Sequence, residues 1–133
     1  MPTDFAPVAG TWSDVMGIRF VTATADEVVA ELVVERKHQQ AFGIVHGGVY
    51  SGLIETIASL GATLAARPHG RAVVGLENQT SFLRAVREGT LRGRAAPVHV
   101  GRTTQVWDAI IRDDQDRIVA TGRVRLLCTE ESR

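Results

Sequence analysis

The chemistry of this chain centres on a lone acid in an apolar run. His46 to Ala66 spans 21 residues, and Glu55 is the only Asp, Glu, Lys or Arg among them. A carboxylate in an apolar helix is costly to bury, so such a residue is paired, protonated or catalytic. Just upstream, Gln40-Ala41-Phe42-Gly43-Ile44-Val45-His46-Gly47-Gly48 brings two glycines to the expected helix start. There the first backbone N–H groups lack intrahelical acceptors, and the helix dipole favours negative charge. A carboxylate and an oxyanion-binding helix start are two of the parts that acyl-transfer hydrolysis requires. Ser59 follows Glu55 at i+4, on the same helix face. Its hydroxyl could hold the carboxylate or its water, and simple packing would suit it equally. The plainer reading of Glu55 is a buried acid satisfied by neighbouring donors; that of Gly47 and Gly48 is close packing or a tight turn.

These residues need a frame. Asp4 to Met16 reads as a short helix or loop lying over the domain. Ile18 to Thr24 is a short β-rich run, and Val28 to Glu35 alternates, with Val28, Ala30, Leu32 and Val34 on one face and Glu31 and Glu35 on the other. Arg36 to Gly43 reads as a polar loop. The run from His46 to Ala66 is apolar nearly all round and is expected to be a wrapped helix, ended by Arg67-Pro68-His69-Gly70. Four β-rich stretches follow: Ala72 to Arg84, Thr90 to Val100, Arg102 to Arg112 and Arg117 to Cys128. In the last, Ile118, Ala120, Gly122, Val124, Leu126 and Cys128 should point inward and Thr121, Arg123 and Arg125 outward. Two strands, one long helix and four strands imply an α+β fold, an antiparallel sheet curled around a single central helix.

Composition narrows the function classes. At 133 residues the chain fits one domain, residues 1–133. Fifteen basic residues balance fifteen acidic ones, which gives no pull towards nucleic acid or an anionic membrane. The segment after Val45 is long enough to span a bilayer, but its glycines and Glu55 oppose this; the acid alone would cost roughly 2.5–3.5 kcal/mol. The N-terminal Met1-Pro2-Thr3-Asp4-Phe5 has no signal-peptide pattern, and the single cysteine, Cys128, excludes a disulfide framework. A cytoplasmic protein is expected. His38, His69 and His99 show no ligand spacing, so no metal site is expected.

Gly43-Ile44-Val45-His46-Gly47-Gly48, leading into Leu53-Ile54-Glu55-Thr56, resembles the hot-dog-fold thioesterases of the phenylacetate-degradation type. Within that group the likeness is to the 4-hydroxybenzoyl-CoA and enterobactin-proofreading thioesterases. Phe82-Leu83-Arg84 and Gly101-Arg102-Thr103 extend the resemblance, which runs from about Gly17 to Cys128. It implies hydrolysis of an acyl- or aryl-CoA thioester, or of an acyl carrier protein thioester. No cofactor is implied beyond the coenzyme A of the substrate. By resemblance Glu55 is base or nucleophile, the Gly47 N–H is the oxyanion donor, and His46 orients the loop. Gln40 lies near the thioester, and Arg84, Arg102 and Thr103 contact coenzyme A. Arginine suits phosphate recognition through its planar fork. At Arg102 the pattern departs, because the matching position in a relative is a CoA-binding serine.

Spacing adds a constraint. Gly47 and Glu55 are eight residues apart, hence roughly 12 Å along one helix. One carbonyl carbon cannot lie about 3 Å from both. A second subunit must supply one of them, so a homodimer is the minimum assembly, and the resemblance extends this to a homotetramer. The competing classes are a non-catalytic acyl-CoA-binding module and a hydratase, whose His and acid spacing this chain lacks.

Overall fold

The alternating segments pair into one antiparallel sheet, and the apolar run forms the helix that fills its inner face. The computed structural model describes residues 5–130. Its elements are α1 (Trp12–Met16), β1 (Arg19–Ala23), β2 (Val28–Val33), α2 (Gly47–Ala66), β3 (Arg71–Phe82), β4 (Thr90–Val100), β5 (Thr104–Arg112) and β6 (Ile118–Glu130). Short 3-10 turns occupy Arg36–His38 and Arg67–His69. Across the sheet the order is β1-β2-β4-β5-β6-β3. The strand that follows the helix therefore lies at the far edge, beside the last strand. This is the α+β hot-dog architecture, with six strands around one long helix.

Leu53, Ile54 and Ile57 of α2 are fully buried among Leu32, Leu91, Trp107, Ile111 and Leu126 of the sheet. Each such side chain contributes about 1.5–3 kcal/mol of burial. Gly61 lets Trp107 lie against the helix, since a Cβ there would come within 2.4 Å of the indole. The buried indole N–H donates to Gln105 Oε1 at 2.8 Å, and Gln105 Nε2 donates to the Ala62 carbonyl at 3.0 Å. These bonds satisfy the buried polar groups and fix the helix against β5. On the outer face charges pair between neighbouring strands, Glu31 with Arg19 and Arg92, and Asp108 with Arg123.

Several expectations need correction. α2 is not wrapped all round: its buried residues are Val49, Tyr50, Leu53, Ile54, Ile57, Ala58, Gly61, Ala62 and Ala66, and the face bearing Gly52, Glu55, Thr56, Ser59 and Thr63 is only half-buried. By length and composition the Gly47–His69 segment could cross a membrane, yet it is the core helix of this sheet. In β6 the expected inward Ile118 is exposed and Val119 is buried. The ladder with β5 shifts between Ile111 and Arg112, so alternation changes sense at that point. Residues 36–43 are not simply a polar loop, because His38 is fully buried. Glu35 lies beyond β2, at the start of that 3-10 turn. Of the stretch from Asp4 to Met16, Asp4 lies outside the described residues; α1 packs on α2 where Gly52 leaves room for the Trp12 ring.

Candidate active site

Glu55 projects from the middle of α2 towards β3. Ser59, one turn on, donates to Glu55 Oε2 at 3.2 Å. Asn78 of β3 donates to Glu55 Oε1 at 3.0 Å and to the Ser51 carbonyl at 3.1 Å. Thr80 donates to Asn78 Oδ1 at 2.6 Å. Gly75 makes this approach possible, because a Cβ there would meet Glu55 Oε2 at 2.7 Å. The β3–β6 ladder shifts between Gly75 and Glu77, a bulge set directly over the acid. Bulges beside functional groups re-aim side chains in this way.

At the start of α2, His46 is the N-cap. Its Nδ1 accepts from the Gly48 N–H at 2.8 Å, and its carbonyl accepts from the Val49 N–H. Among the described residues the Gly47 N–H meets no acceptor, so it is the open donor at the positive end of the helix. The Phe82 ring packs where a Gly47 side chain would stand, 2.6 Å from an ideal Cβ. Gln40 turns back on its own loop: its Oε1 accepts from the Phe42 N–H, and its carbonyl accepts from the Gly43 N–H at 3.0 Å. Gly43 has φ 81°, a left-handed conformation that favours glycine.

Two clefts flank α2. One, of about 380 Å³, is lined by Gln40, Gly47, Tyr50, Phe82 and Arg84 at the helix start. Burial and the charge of Asp113 push the Tyr50 phenol up to about 12, so it stays neutral and donates to the Arg84 carbonyl at 3.2 Å. The other, of about 450 Å³, is lined by His69, Arg71, Arg102 and Cys128 at the helix end. Thr103 is exposed in the β4–β5 turn, with its carbonyl accepting from the Cys128 N–H. One protomer thus gathers Gln40, Gly47 and Arg84 at one end, holds Glu55 and Ser59 at mid-helix, and carries Arg102 and Thr103 towards the other end. No group of three or more His, Cys, Asp or Glu among the described residues is placed to hold a metal.

Three supporting residues carried no signal in the sequence. Asn78 and Gly75 reach Glu55 only through the β3 bulge. His38 accepts the Glu35 N–H at Nδ1 (2.8 Å), so its Nε2 is the nitrogen that donates to the Met16 carbonyl, also at 2.8 Å. The His38 carbonyl in turn accepts from the His46 N–H. This buried histidine joins the end of α1 to the loop that carries the helix cap.

A family model described as Thioesterase superfamily matches residues 42–120. Rv1847 of Mycobacterium tuberculosis is 44% identical over 113 residues, 84% of this chain and 81% of that protein. Its solved structure superposes with a TM-score of 0.89 at 41% identity, covering 92% and 98% of the two chains. The proofreading thioesterase EntH of Cronobacter turicensis is 37% identical over 119 residues, 90% and 86% of the respective chains. SAV0944 of Staphylococcus aureus, a thioesterase, superposes at 0.86 with 25% identity, covering 90% and 98%. It has been solved with a glutamate and, separately, a glutamine changed to alanine, positions 47 and 32, fifteen apart. With a family model spanning more than half its length and relatives above one-third identity along most of it, this chain belongs to the thioesterase superfamily.

Proposed function

We propose that the protein hydrolyses acyl- or aryl-CoA thioesters at a site shared between two subunits, with Glu55 of one and the Gly47 N–H of the other. The observation that carries this reading is the state of Glu55, a carboxylate held by Asn78 and Ser59 on a half-open helix face beside a catalytically bland sheet. The altered pair in the S. aureus relative supports it, since Gln40 and Glu55 are also fifteen apart. The thioester carbonyl would lie against the open Gly47 N–H. Either Glu55 takes a proton from water as the water attacks, or it attacks the carbonyl itself and water cleaves the resulting anhydride. In both routes the tetrahedral oxyanion rests on the Gly47 N–H, the C–S bond breaks, and the thiolate takes up a proton. Single turnover in 18O-labelled water tests the anhydride route, because water attacking the Glu55 carboxyl carbon of the anhydride leaves label in Glu55, which the general-base route does not.

The subunits would meet along β3, the long sheet edge, with the two strands antiparallel about a two-fold axis. The start of β3 then lies beside the end of the partner's β3, so the Arg102 cleft of one protomer adjoins the Arg84 cleft of the other. Arg84, Arg102 and Thr103 would contact the phosphates of the carrier, which is coenzyme A in this reading and acyl carrier protein in its variant. Two such dimers make the proposed tetramer.

Glu55→Gln is expected to lower kcat by at least ~100-fold with the fold intact, measured as thiol release from a panel of acyl- and aryl-CoA thioesters. Mixing Glu55→Ala subunits with Gly47→Pro subunits should restore activity, because one hybrid site is intact; proline at the first helical position removes the N–H with little cost to the helix, and the exposed Phe82 ring must swing aside for it. Full turnover by Glu55→Gln overturns the reading. Wild-type protein that binds the whole panel and releases no thiol is a binding module instead.

A further inference from the structure

The geometry points to Asn78 as a positioning residue for Glu55, one that holds the carboxylate aimed by donating through a side-chain amide that cannot turn over. This rests on the reading of Glu55 as the reacting acid. Asn78 Nδ2 has two hydrogens and two acceptors, Glu55 Oε1 at 3.0 Å and the Ser51 carbonyl at 3.1 Å. Its Oδ1 accepts from the Thr80 hydroxyl at 2.6 Å. A flipped amide would set Oδ1 against a carboxylate oxygen and a carbonyl oxygen, neither of which can donate. Thr80, Asn78 and Glu55 therefore form a one-way chain of donors ending on the acid, with all three half-buried. Ser59 serves the other carboxylate oxygen, so both oxygens are held.

Hydrogen bonds to the charged form of a carboxylate favour that form, and they strengthen where water is thin. They also restrict the rotamers of a long side chain, which matters for an acid that must meet a carbonyl or a water within a few tenths of an ångström. The tie to the Ser51 carbonyl anchors the amide to the helix that carries Glu55, so acid and donor move together. The reach of the acid is thereby fixed, which does not require Asn78 to touch the substrate.

The test uses Asn78→Leu, Asn78→Asp and Thr80→Val in the full-length protein, assayed by thiol release with pH profiles of kcat and KM, alongside Tm. Asn78→Leu is expected to lower kcat by ~10–100-fold at neutral pH while KM changes by less than ~3-fold. Its acid limb should move alkaline, because the charged carboxylate loses a donor. Asn78→Asp should move that limb further, because two carboxylates in contact share a proton, and activity should recover at alkaline pH. Thr80→Val leaves Asn78 and its orientation in place but removes the hydroxyl that polarises the amide, which weakens the bond to Glu55; a smaller kcat loss and a smaller shift in the same direction are expected. It is the deciding variant should the Asn78 substitutions fail to fold. A residue that only tied β3 to α2 would lower Tm and leave the pH limb where it was. Folded Asn78 variants, or a folded Thr80→Val, with wild-type kcat and an unmoved acid limb overturn the inference. If Glu55→Gln is dead while these variants are unaffected, this inference alone has failed; if Glu55→Gln is active, the reading beneath it has failed.

Discussion

The two edges of the sheet are finished in opposite ways. β1 has five residues, a register shift between Phe20 and Thr22, and a charge ladder in which Glu31 accepts from Arg19 on one side and Arg92 on the other. Short length, irregularity and charge are the usual defences of an edge exposed to water. β3 has twelve residues and leaves Val74 (50%) and Leu76 (45%) open to solvent, with Phe82 and Leu83 exposed at its end. Its one bulge, between Gly75 and Glu77, sits over Glu55. An edge so long, with Val74, Leu76 and Phe82 open to solvent and the residues that hold Glu55 between them, suits the pairing proposed above. The opposite edge is built to stay single.

The most damaging test of this contrast is charge on the open edge. Val74→Lys combined with Leu76→Lys should convert the protein to monomers by light scattering and lower thioesterase activity by at least ~100-fold, because in the proposed shared site each Glu55 loses its second subunit. Both side chains face solvent in the protomer, so thermal stability of the isolated subunit should change by no more than about 0.5 kcal/mol each. A doubly substituted protein that remains oligomeric and active would show that the subunits meet elsewhere.

A second substitution separates the edge as an interface from the edge as a support. Gly75→Ala puts a methyl group where Glu55 Oε2 now stands 2.7 Å from an ideal Cβ. The carboxylate must give way, straining its bonds from Asn78 and Ser59. A displacement well below 1 Å should cost about 10-fold in kcat. Oligomeric state should be unchanged, since the methyl group adds nothing to the outer edge. Loss of assembly along with activity would mean that this stretch of β3 is interface alone.

The contrast also explains what could be read from the chain and what could not. Apolar runs and alternation placed the long helix and all six strands within a few residues, because burial periodicity survives in the sequence. The inward assignment of Ile118 failed because the shift at Ile111 and Arg112 resets the alternation, and a bulge carries no residue signature of its own. Glu55, Ser59, His46 and Gly47 stood out by type and spacing along one helix, where distance follows from residue number. Asn78 and Gly75 act across space, and only the register of β3 on β6 decides which of its residues look at the acid. His38 looked like any loop histidine until the ends of α1 and β2 closed around it. Local geometry is legible in sequence, while contacts set by register are not.

The smallest effect belongs to the closed edge. Glu31→Gln removes the carboxylate shared by Arg19 and Arg92 and leaves two guanidinium groups facing a neutral amide. Glu31 is largely shielded, but both arginines are more than half exposed, so water and salt already screen the attraction. Each pair is then worth at most about 1 kcal/mol, and the amide retains a hydrogen bond to one arginine. A Tm decrease of a few degrees is expected, roughly 2–5 °C, shrinking further in high salt. Activity and oligomeric state should match the wild type, since β1 faces away from the β3 edge at the other end of the strand order. If this single change at β1 dissociates the protein or lowers kcat as far as lysines on β3, the two edges are equivalent and the site does not depend on β3 pairing.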